Sequence, residues 1–205
     1  MNLDDYRTLF VAVSLVLILI STVPVISMVI PRNAEPFFAM GVLGENMMAA
    51  QYYPDDNPNI QVGSLVRWHL GVYNHMGSVQ YVAVRVKLLN STLPSSNSSS
   101  CVPSDVPAFF EFRHVLVKNE TWWFPFYWSI SEVMPQGDSL VITQLVVNNM
   151  TLGLNAQAFS GYNFRVVFEL WVYDEVLQGF DFAWKSGGED RCVWNQIWFN
   201  VTLSE

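Results

Sequence analysis

The sequence predicts a mainly β protein, in which a single N-terminal transmembrane helix precedes an antiparallel β-sandwich of immunoglobulin-like architecture. An uncharged apolar run occupies residues 9–30. After it, apolar and polar residues alternate in seven or eight segments that are separated by turn-forming residues. None of these segments has the helical period of 3.6 residues, and period-two alternation buries one face of each strand, as two packed sheets require.

The apolar run predicts the anchor. A helix of this length spans about 33 Å at about 1.5 Å per residue, slightly more than the hydrocarbon core of a bilayer. The preceding residues hold two acids and one Arg7, and no small-residue cleavage site follows, so a cleaved secretory signal is the less favoured alternative. We therefore expect a cytoplasmic N-terminus at residues 1–8, a membrane span at 9–30, a linker at 31–36 and an extracytoplasmic domain at 37–205.

Arg7 and Arg32 flank the span almost symmetrically, so the excess of positive charge on cytoplasmic loops does not orient the chain. The glycosylation sequons and the cysteines are used instead. The Asn-X-Ser/Thr pattern that accepts N-linked glycans occurs after the span at Asn90, Asn97, Asn119, Asn149 and Asn200. The pair Cys101 and Cys192 predicts one disulfide, with two buried thiols as the alternative. These features predict a single-pass cell-membrane glycoprotein whose C-terminal domain lies outside.

The first half of the domain predicts strands at 37–42, 66–72 and 82–88, with a loop at 44–59. The segments around 66–72 and 82–88 alternate in phase about a turn at 74–77, so we expect them to pair as a hairpin with one buried face. Residues 90–107 are rich in Asn, Ser and Pro and predict an exposed loop in which Cys101 is a tether.

The second half predicts strands at 109–118, 121–130, 140–147, 164–173 and 192–203. Pro125 predicts that its strand lies at a sheet edge or contains a bulge. We expect an irregular connection at residues 148–161 and a loop at 180–190.

Composition restricts the partners. The formal net charge is −8, and most of it lies after the apolar run. An acidic domain repels phosphate backbones and anionic membrane surfaces, so nucleic acid is not an expected partner.

Catalytic and metal-binding patterns are weak. His69, His75 and His114 are not spaced as a zinc motif, and Asp55 and its neighbours do not match a calcium loop. The residues after Cys192 include no copper ligand. We expect no cofactor, no metal and no enzymatic activity.

The densest aromatic segment predicts an interaction surface. Its six aromatic residues occupy seven positions: Trp122, Trp123, Phe124, Phe126, Tyr127 and Trp128. Alternation in a strand points some of them away from the core, toward a protein partner or the membrane interface. The alternative is that both faces of the strand are covered within the domain.

Residues 35–202 resemble an archaeal family of membrane-anchored proteins of unknown function. The similarity is carried by Leu43-Gly44, Tyr53-Pro54, Val62-Gly63, the Gly-Val-Tyr-Asn-His segment at 71–75, the valine-rich strand at 81–89, Thr121-Trp122, Leu170-Trp171-Val172 and Phe199-Asn200-Val201. The resemblance implies an extracytoplasmic β-domain close to a membrane span, and it implies no catalytic residues. Long inserts at 91–107 and 148–161 and the cysteine pair depart from the family pattern.

Together these features predict a non-catalytic structural or accessory protein that binds other membrane or envelope proteins. A cell-surface module that binds solutes or glycans on exposed Trp and Tyr side chains is the first alternative. A pilin-like filament subunit is the second, although the chain has no basic-Gly processing site before its apolar run.

Overall fold

The computed structural model describes residues 6–7, 9–18, 20 and 35–203. The chain divides into two compact units, Met1–Glu35 and Pro36–Glu205. The described residues of the first unit from 6 to 20 are helical. No helix formed by described residues is long and apolar enough to cross a bilayer. Most of the predicted N-terminus, residues 21–30 of the predicted span and residues 31–34 of the linker lie outside the described residues, so the anchor stays a prediction.

Strands dominate the described part of the second unit, where a single turn of 3₁₀ helix at Pro54–Asp56 is the one helical element. In chain order the strands are β1 (Phe38–Leu43), β2 (Asn59–Gln61), β3 (Val66–Asn74), β4 (Gln80–Leu89), β5 (Phe110–Leu116), β6 (Thr121–Gln136), β7 (Ser139–Val147), β8 (Met150–Phe159), β9 (Phe164–Asp174), β10 (Gly179–Asp181), β11 (Trp184–Ser186), β12 (Glu189–Arg191) and β13 (Trp194–Thr202).

Two sheets contain nearly all of these strands. The five-stranded sheet has the order β1-β3-β6-β7-β8, and the six-stranded sheet has the order β2-β13-β9-β4-β5 with β10 beside β9. Neighbours are antiparallel except β2 and β13, which are parallel. The strands β11 and β12 form a separate small hairpin.

The core lies between the two sheets. Trp68 of β3 is fully buried, and its ring centroid lies 6.0 Å from that of Phe168 on β9 in the opposite sheet. Phe126 of β6 meets the same Phe168 edge to face at 5.2 Å. Burying each such side chain contributes roughly 1.5–3 kcal/mol. The predicted β-sandwich is therefore confirmed at the level of its two packed layers.

The predicted hairpin of residues 66–88 is wrong. The strands β3 and β4 do not pair, because β3 lies between β1 and β6 whereas β4 lies between β9 and β5 in the other sheet. Alternation within each strand reports only that one face is buried, and it is the same for strands in facing sheets.

Asn74 fixes this crossing between sheets. Its side chain is fully buried, and Nδ2 donates to the carbonyl oxygens of Ser78, Leu116 and Val117, while Oδ1 accepts from the Met76 amide. One amide side chain thus links the backbone of the turn after β3 to the end of β5.

Pro125 lies in β6, a central strand of its sheet, at a position where only one neighbour is present. The strand β6 pairs with β3 on one side and with β7 on the other, but β7 reaches only as far as Trp128. Asn148 replaces the missing neighbour by donating from Nδ2 to the Pro125 carbonyl and accepting from the Tyr127 amide. Proline is tolerated because β6 is locally an edge there. The register of β6 against β7 shifts between Ile130 and Glu132.

The predicted irregular connection at 148–161 is also wrong, because it contains β8. Asn148 and Asn149 both have positive φ, 46° and 67°, as a two-residue type I′ turn requires. The strand then pairs with β7 and places Leu152, Leu154 and Ala156 against the core.

The predicted loop at 180–190 likewise contains short strands. Gly187 and Gly188, with φ of 61° and 87°, form the tight turn between β11 and β12. In the predicted loop at 44–59, Asn59 begins β2, which pairs with the end of β13.

Candidate functional site

Three of the six aromatic residues predicted as an interaction surface belong to the core. Phe124, Phe126 and Trp128 point between the sheets and are 6%, 1% and 1% exposed. The physical reason is the strand period, since residues two apart share a face and this face is the inner one. A partner therefore has no access to these three side chains.

Trp122 lies on the inward side near the end of the sandwich and is half-buried. Its ring stacks on His114 with centroids 4.6 Å apart and on Phe124 at 3.9 Å. His114 Nε2 also lies 3.5 Å from Glu120 Oε1. This stack closes one end of the core, so Trp122 is mainly a packing residue.

Trp123 and Tyr127 point outward, on the surface of the five-stranded sheet that we call the open face. Its aromatic and imidazole side chains are Phe37, His69, Tyr73, His75, Trp123 and Tyr127. Trp123 is 46% exposed and lies over Gly71, where a Cβ would meet Cζ3, Cη2 and Cε3 of the indole at 2.5–2.8 Å. Only glycine at position 71 allows this ring to rest on the backbone of β3.

Two tyrosine–imidazole pairs lie on the open face. Tyr127 Oη is 3.1 Å from His69 Nε2, while His69 Nδ1 is 3.3 Å from the Gly44 carbonyl oxygen. Because a carbonyl only accepts, His69 carries its proton on Nδ1 and accepts from the tyrosine. In the second pair, Tyr73 Oη lies 3.1 Å from His75 Nδ1, and Phe37 packs on the His75 ring at 4.9 Å.

The outer surface of the six-stranded sheet, which we call the covered face, is built differently. Glu169 of β9 is completely buried there, and its Oε2 lies 2.8 Å from Nζ of Lys87, which is itself 4% exposed. Ser96 Oγ and the Ser104 amide donate to Glu169 Oε1, and Trp171 Nε1 donates to Oε2. Each carboxylate oxygen thus has two partners, which offsets much of the cost of burying the charge.

The insert at residues 90–107 provides that cover: it is a largely exposed loop, as predicted, but two of its serines are buried against the sheet. Ser96 and Ser104 are 3% and 5% exposed, and Lys87 Nζ donates to the Ser104 carbonyl. The predicted disulfide joins Cys101 to Cys192 with a Cα–Cα distance of 5.5 Å and holds the insert against the strand that follows. Its role as a tether is thereby explained.

The charged network continues across the covered face. Arg85 lies over the Trp171 ring, 3.9 Å from its centroid, and donates to Glu111 of β5. Burial would raise the pKa of Glu111, but hydrogen bonds from Arg85 and Arg113 outweigh it and hold that pKa below its ordinary value. Burial lowers the pKa of Arg165, which stacks over Trp198.

The sequons differ in accessibility. Asn97, Asn119 and Asn149 are exposed. Asn90 Nδ2 donates to the Gln157 carbonyl, and Asn200 Nδ2 donates to the side chain of Asn59. Because a glycan is attached through Nδ2, modification of the last two would replace hydrogen bonds of the fold.

Candidate metal ligands do not cluster in the part of the chain that the structure describes. Within those residues, no group of three or more His, Cys, Asp or Glu side chains is arranged to hold a metal ion.

The loop around residues 53–59 packs on β13. Burial raises the pKa of Tyr53, assisted by Tyr52 and Asp56, and the Tyr53 hydroxyl donates to the Trp198 carbonyl. Asn57 Oδ1 accepts from the backbone and side chain of Asn59, so it supports the turn.

The strand β8 adds a second accessible surface, which sequence reasoning missed. It forms one edge of the five-stranded sheet, and its ten residues contain no charge and no proline. Asn148-Asn149 was the available signal, because consecutive Asn residues favour a type I′ turn between paired strands.

Comparison with known proteins gives a loose structural likeness. No protein-family model and no curated protein matches the chain. The CARDB domain of PF1109 from Pyrococcus furiosus, solved with di-metal ions, is 12% identical with a TM-score of 0.41 and covers 83% of this chain and 96% of its own. A β-glucosidase from Erythrobacter marinus is 11% identical with a TM-score of 0.39 over 82% of this chain and 16% of its own. Such likenesses say nothing about ligand or activity.

Proposed function

We propose that this protein is a non-catalytic accessory subunit that captures an extended segment of a partner protein along the edge of β8. The partner segment adds as a further strand to the five-stranded sheet. The single observation that carries the proposal is that β8 is a long sheet edge without charge or proline. Natural proteins protect long sheet edges with charged residues or proline, and an edge without them can pair with a strand of another protein.

The other sheet edges are shorter or better protected. The edge strand β5 contains Glu111, Arg113 and His114, and β2 has three residues. The six-residue β1 is uncharged, but its Met40 carbonyl accepts from Asn195. This contrast selects β8 as the docking edge.

The first half of β8 offers the backbone groups that a strand needs. Val147 and Met150 flank the two-residue turn and form a hydrogen-bonded pair of the hairpin. Hydrogen-bonded and non-hydrogen-bonded pairs alternate along an antiparallel ladder. Thr151 and Gly153 therefore direct their N–H and C=O groups away from β7, toward the free edge. The Gln157 carbonyl in the second half accepts from Asn90. We therefore place docking along residues 150–155, and we expect an uncharged partner segment.

The proposal includes the predicted location. Residues 9–30 carry no charge, and the described helical residues Phe10 and Ile20 are 74% and 64% exposed, as side chains in contact with lipid would be. The disulfide supports an oxidising compartment. We propose a single-pass membrane protein whose β-domain lies outside, with Asn97 and Asn119 as glycan acceptors, which glycopeptide mass spectrometry tests. Asn149 is left out of this proposal, because a glycan there would stand at the start of the docking edge.

The proposal also assigns an immunoglobulin-like arrangement. The pairings β3–β6, β4–β9 and β9–β13 match the pairings B–E, C–F and F–G of that architecture. The hairpin β7–β8 is then an addition that extends one sheet and creates the docking edge.

Site-specific photo-crosslinking in native membranes tests the docking edge. A photo-reactive residue replaces Thr151 on β8 in one variant of the full chain and Val115, which is 53% exposed on the charged edge β5, in a matched control. We expect a discrete crosslinked species from position 151 alone. Adding Asn155→Lys to the variant with the photo-reactive residue at position 151 should abolish capture, whereas adding Val115→Lys to it should not.

Three results would contradict the proposal. Equal crosslinking from both positions would indicate non-specific contact. A crosslinked species with twice the mass of this chain would identify a second copy instead of another protein. A monomer without crosslinks in native membranes would remove the docking role of β8.

A further inference from the structure

The open face contains a shallow shelf between β1 and β6. Gly41, Gly71 and Trp123 lie directly opposite one another on three neighbouring strands. Trp123 rests on Gly71, and a Cβ at Gly41 would meet nothing within 4 Å. The shelf therefore presents one indole face, backed by bare backbone, beside open space of about one residue in width.

Hydrogen-bonding side chains border the shelf along the strands. Tyr73 lies two residues after Gly71, in register with Thr121, and His69 lies two residues before Gly71, opposite Pro125. Each belongs to a tyrosine–imidazole pair, Tyr73 with His75 and His69 with Tyr127. Hydroxyl and imidazole groups thus stand on both sides of an apolar ring.

Charge is balanced near the shelf. Arg67, the next outward residue after His69 on β3, forms an ion pair with Glu45 at 2.9 Å. No other Lys, Arg, Asp or Glu occupies an outward position from 39 to 43, 67 to 73 or 121 to 127, all of which the structure describes. The shelf is suited to a ligand that is neutral and rich in hydroxyl groups.

We infer that the Trp123 shelf binds a neutral pyranose, with one sugar face stacked on the indole and its hydroxyl groups directed at the bordering Tyr and His side chains. One face of a pyranose presents polarised C–H bonds, which are attracted to the negative face of an aromatic ring. A flat, exposed ring suits this geometry. An aromatic side chain of a protein partner would need a concave apolar pocket. Gly41 and Gly71 instead leave a flat surface that no apolar side chains surround.

Gly71 acts as the positioning residue of this site. Its missing side chain lets the indole lie on β3, and an alanine there would approach three ring atoms to within 2.8 Å and displace the ring. The sugar site therefore depends on a residue that does not itself contact the ligand.

Ligand-observed NMR on the full chain in lipid nanodiscs tests the inference. Alkyl-glycoside detergents are avoided because they would compete for the shelf. The probes are methyl β-D-glucopyranoside, the β-linked glucose tetramer and glucuronate as a charged counterpart. We expect saturation transfer to the ring C–H protons of the neutral probes, with a stronger signal for the tetramer and little for glucuronate.

Matched variants separate the shelf from other aromatic surfaces. Trp123→Ala should weaken binding by at least about tenfold, which corresponds to about 1.4 kcal/mol. Trp123→Phe should retain part of the binding, and Gly71→Ala should weaken it although Trp123 is present. Trp198→Ala is the control, because Trp198 is similarly exposed at 39% but lies on β13 under Arg165; its removal should leave binding unchanged.

Two outcomes would overturn the inference. One is the absence of saturation transfer from the wild-type chain to any neutral probe. The other is an equal loss in Trp198→Ala and Trp123→Ala. In either case, a lipid response in the fluorescence difference between wild type and Trp123→Ala would identify the shelf as a membrane contact. Crosslinking at Thr151 is unaffected by any of these outcomes, so the sugar site and the docking edge fail independently.

Discussion

The open face and the covered face are the outer surfaces of the same sandwich, but the first is exposed to solvent and the second is buried beneath other segments of the chain. On the open face, outward positions of β3 hold Arg67, His69 and Tyr73, and the surface is left to solvent. On the covered face, the outward positions Ala83 and Val167 are fully buried beneath the insert and the segment around β10–β12. The five-stranded sheet is therefore half-buried, whereas the centre of the six-stranded sheet is buried on both sides.

The difference indicates where this scaffold concentrates its stabilising contacts and where, on our inference, it would bind a ligand. A disulfide, a buried ion pair and a long insert are concentrated on the covered face, where they make it rigid. The open face is free of such elements and presents single side chains on bare backbone. Binding residues are best placed where a neighbouring layer does not compete for them.

The largest expected loss of stability comes from a substitution in the covered face. Glu169→Gln leaves Lys87 buried without its counter-charge, and we expect the free energy of unfolding to fall by about 3–5 kcal/mol. Urea unfolding of the full chain measures the change.

The exposed ion pair Lys185–Asp190, with side chains 72% and 54% accessible, provides the control for that experiment. Asp190→Asn should cost less than about 1 kcal/mol. Similar losses in the two variants would mean that the insert does not exclude water from Glu169.

The second prediction concerns the disulfide. Replacing both cysteines with serine frees an insert that is linked across 91 residues, and we expect a loss of about 2–4 kcal/mol. Amide hydrogen exchange should accelerate at residues 90–107 and remain slow in β3 and β6. Unchanged exchange in the insert would show that its serine hydrogen bonds hold it without the disulfide.

The alternation of apolar and polar residues predicted most strands because it reports burial directly. The sequence also held a signal for the covered face that the strand prediction did not use. The outward positions of β4 and β9 include the apolar Ala83, Leu89 and Val167 among charged residues, so each strand contains short continuous apolar runs. Such runs are typical of strands that are buried on both faces. Outward Arg67 and His69 of β3 gave the opposite signal.

Long-range pairing could not be predicted from local pattern. The assignment of β3 and β4 to different sheets depends on β6 and β9, which are distant in sequence. The alignment of Gly41, Gly71 and Trp123 requires the register of three strands at once. The aromatic segment at 122–128 was recognised, but only the register shows that Trp123 and Tyr127 point outward.

The third prediction sharpens the comparison on the open face. Gly71→Ala inserts a methyl group beneath Trp123, and we expect a cost of about 1 kcal/mol, because an exposed ring tilts more easily than a core side chain. In a Trp123→Ala background the same change should be almost neutral. A double-mutant cycle measured by urea unfolding gives this coupling. Additive effects would indicate that Trp123 does not rest on Gly71 in solution.

The smallest expected effect is the pH dependence of the Glu111 contacts at the edge of the covered face. Burial opposes ionisation of Glu111, but hydrogen bonds from Arg85 and Arg113 prevail, so its pKa in the folded state lies below the ordinary value of 4.5. A lowered folded pKa contributes stability that is fully present above the unfolded pKa and is lost as pH falls through the folded pKa. The difference in unfolding free energy between wild type and Glu111→Gln should therefore be constant near neutral pH and shrink below about pH 4.5. A difference that grows on acidification would mean that desolvation, and not the two arginines, sets the protonation of Glu111.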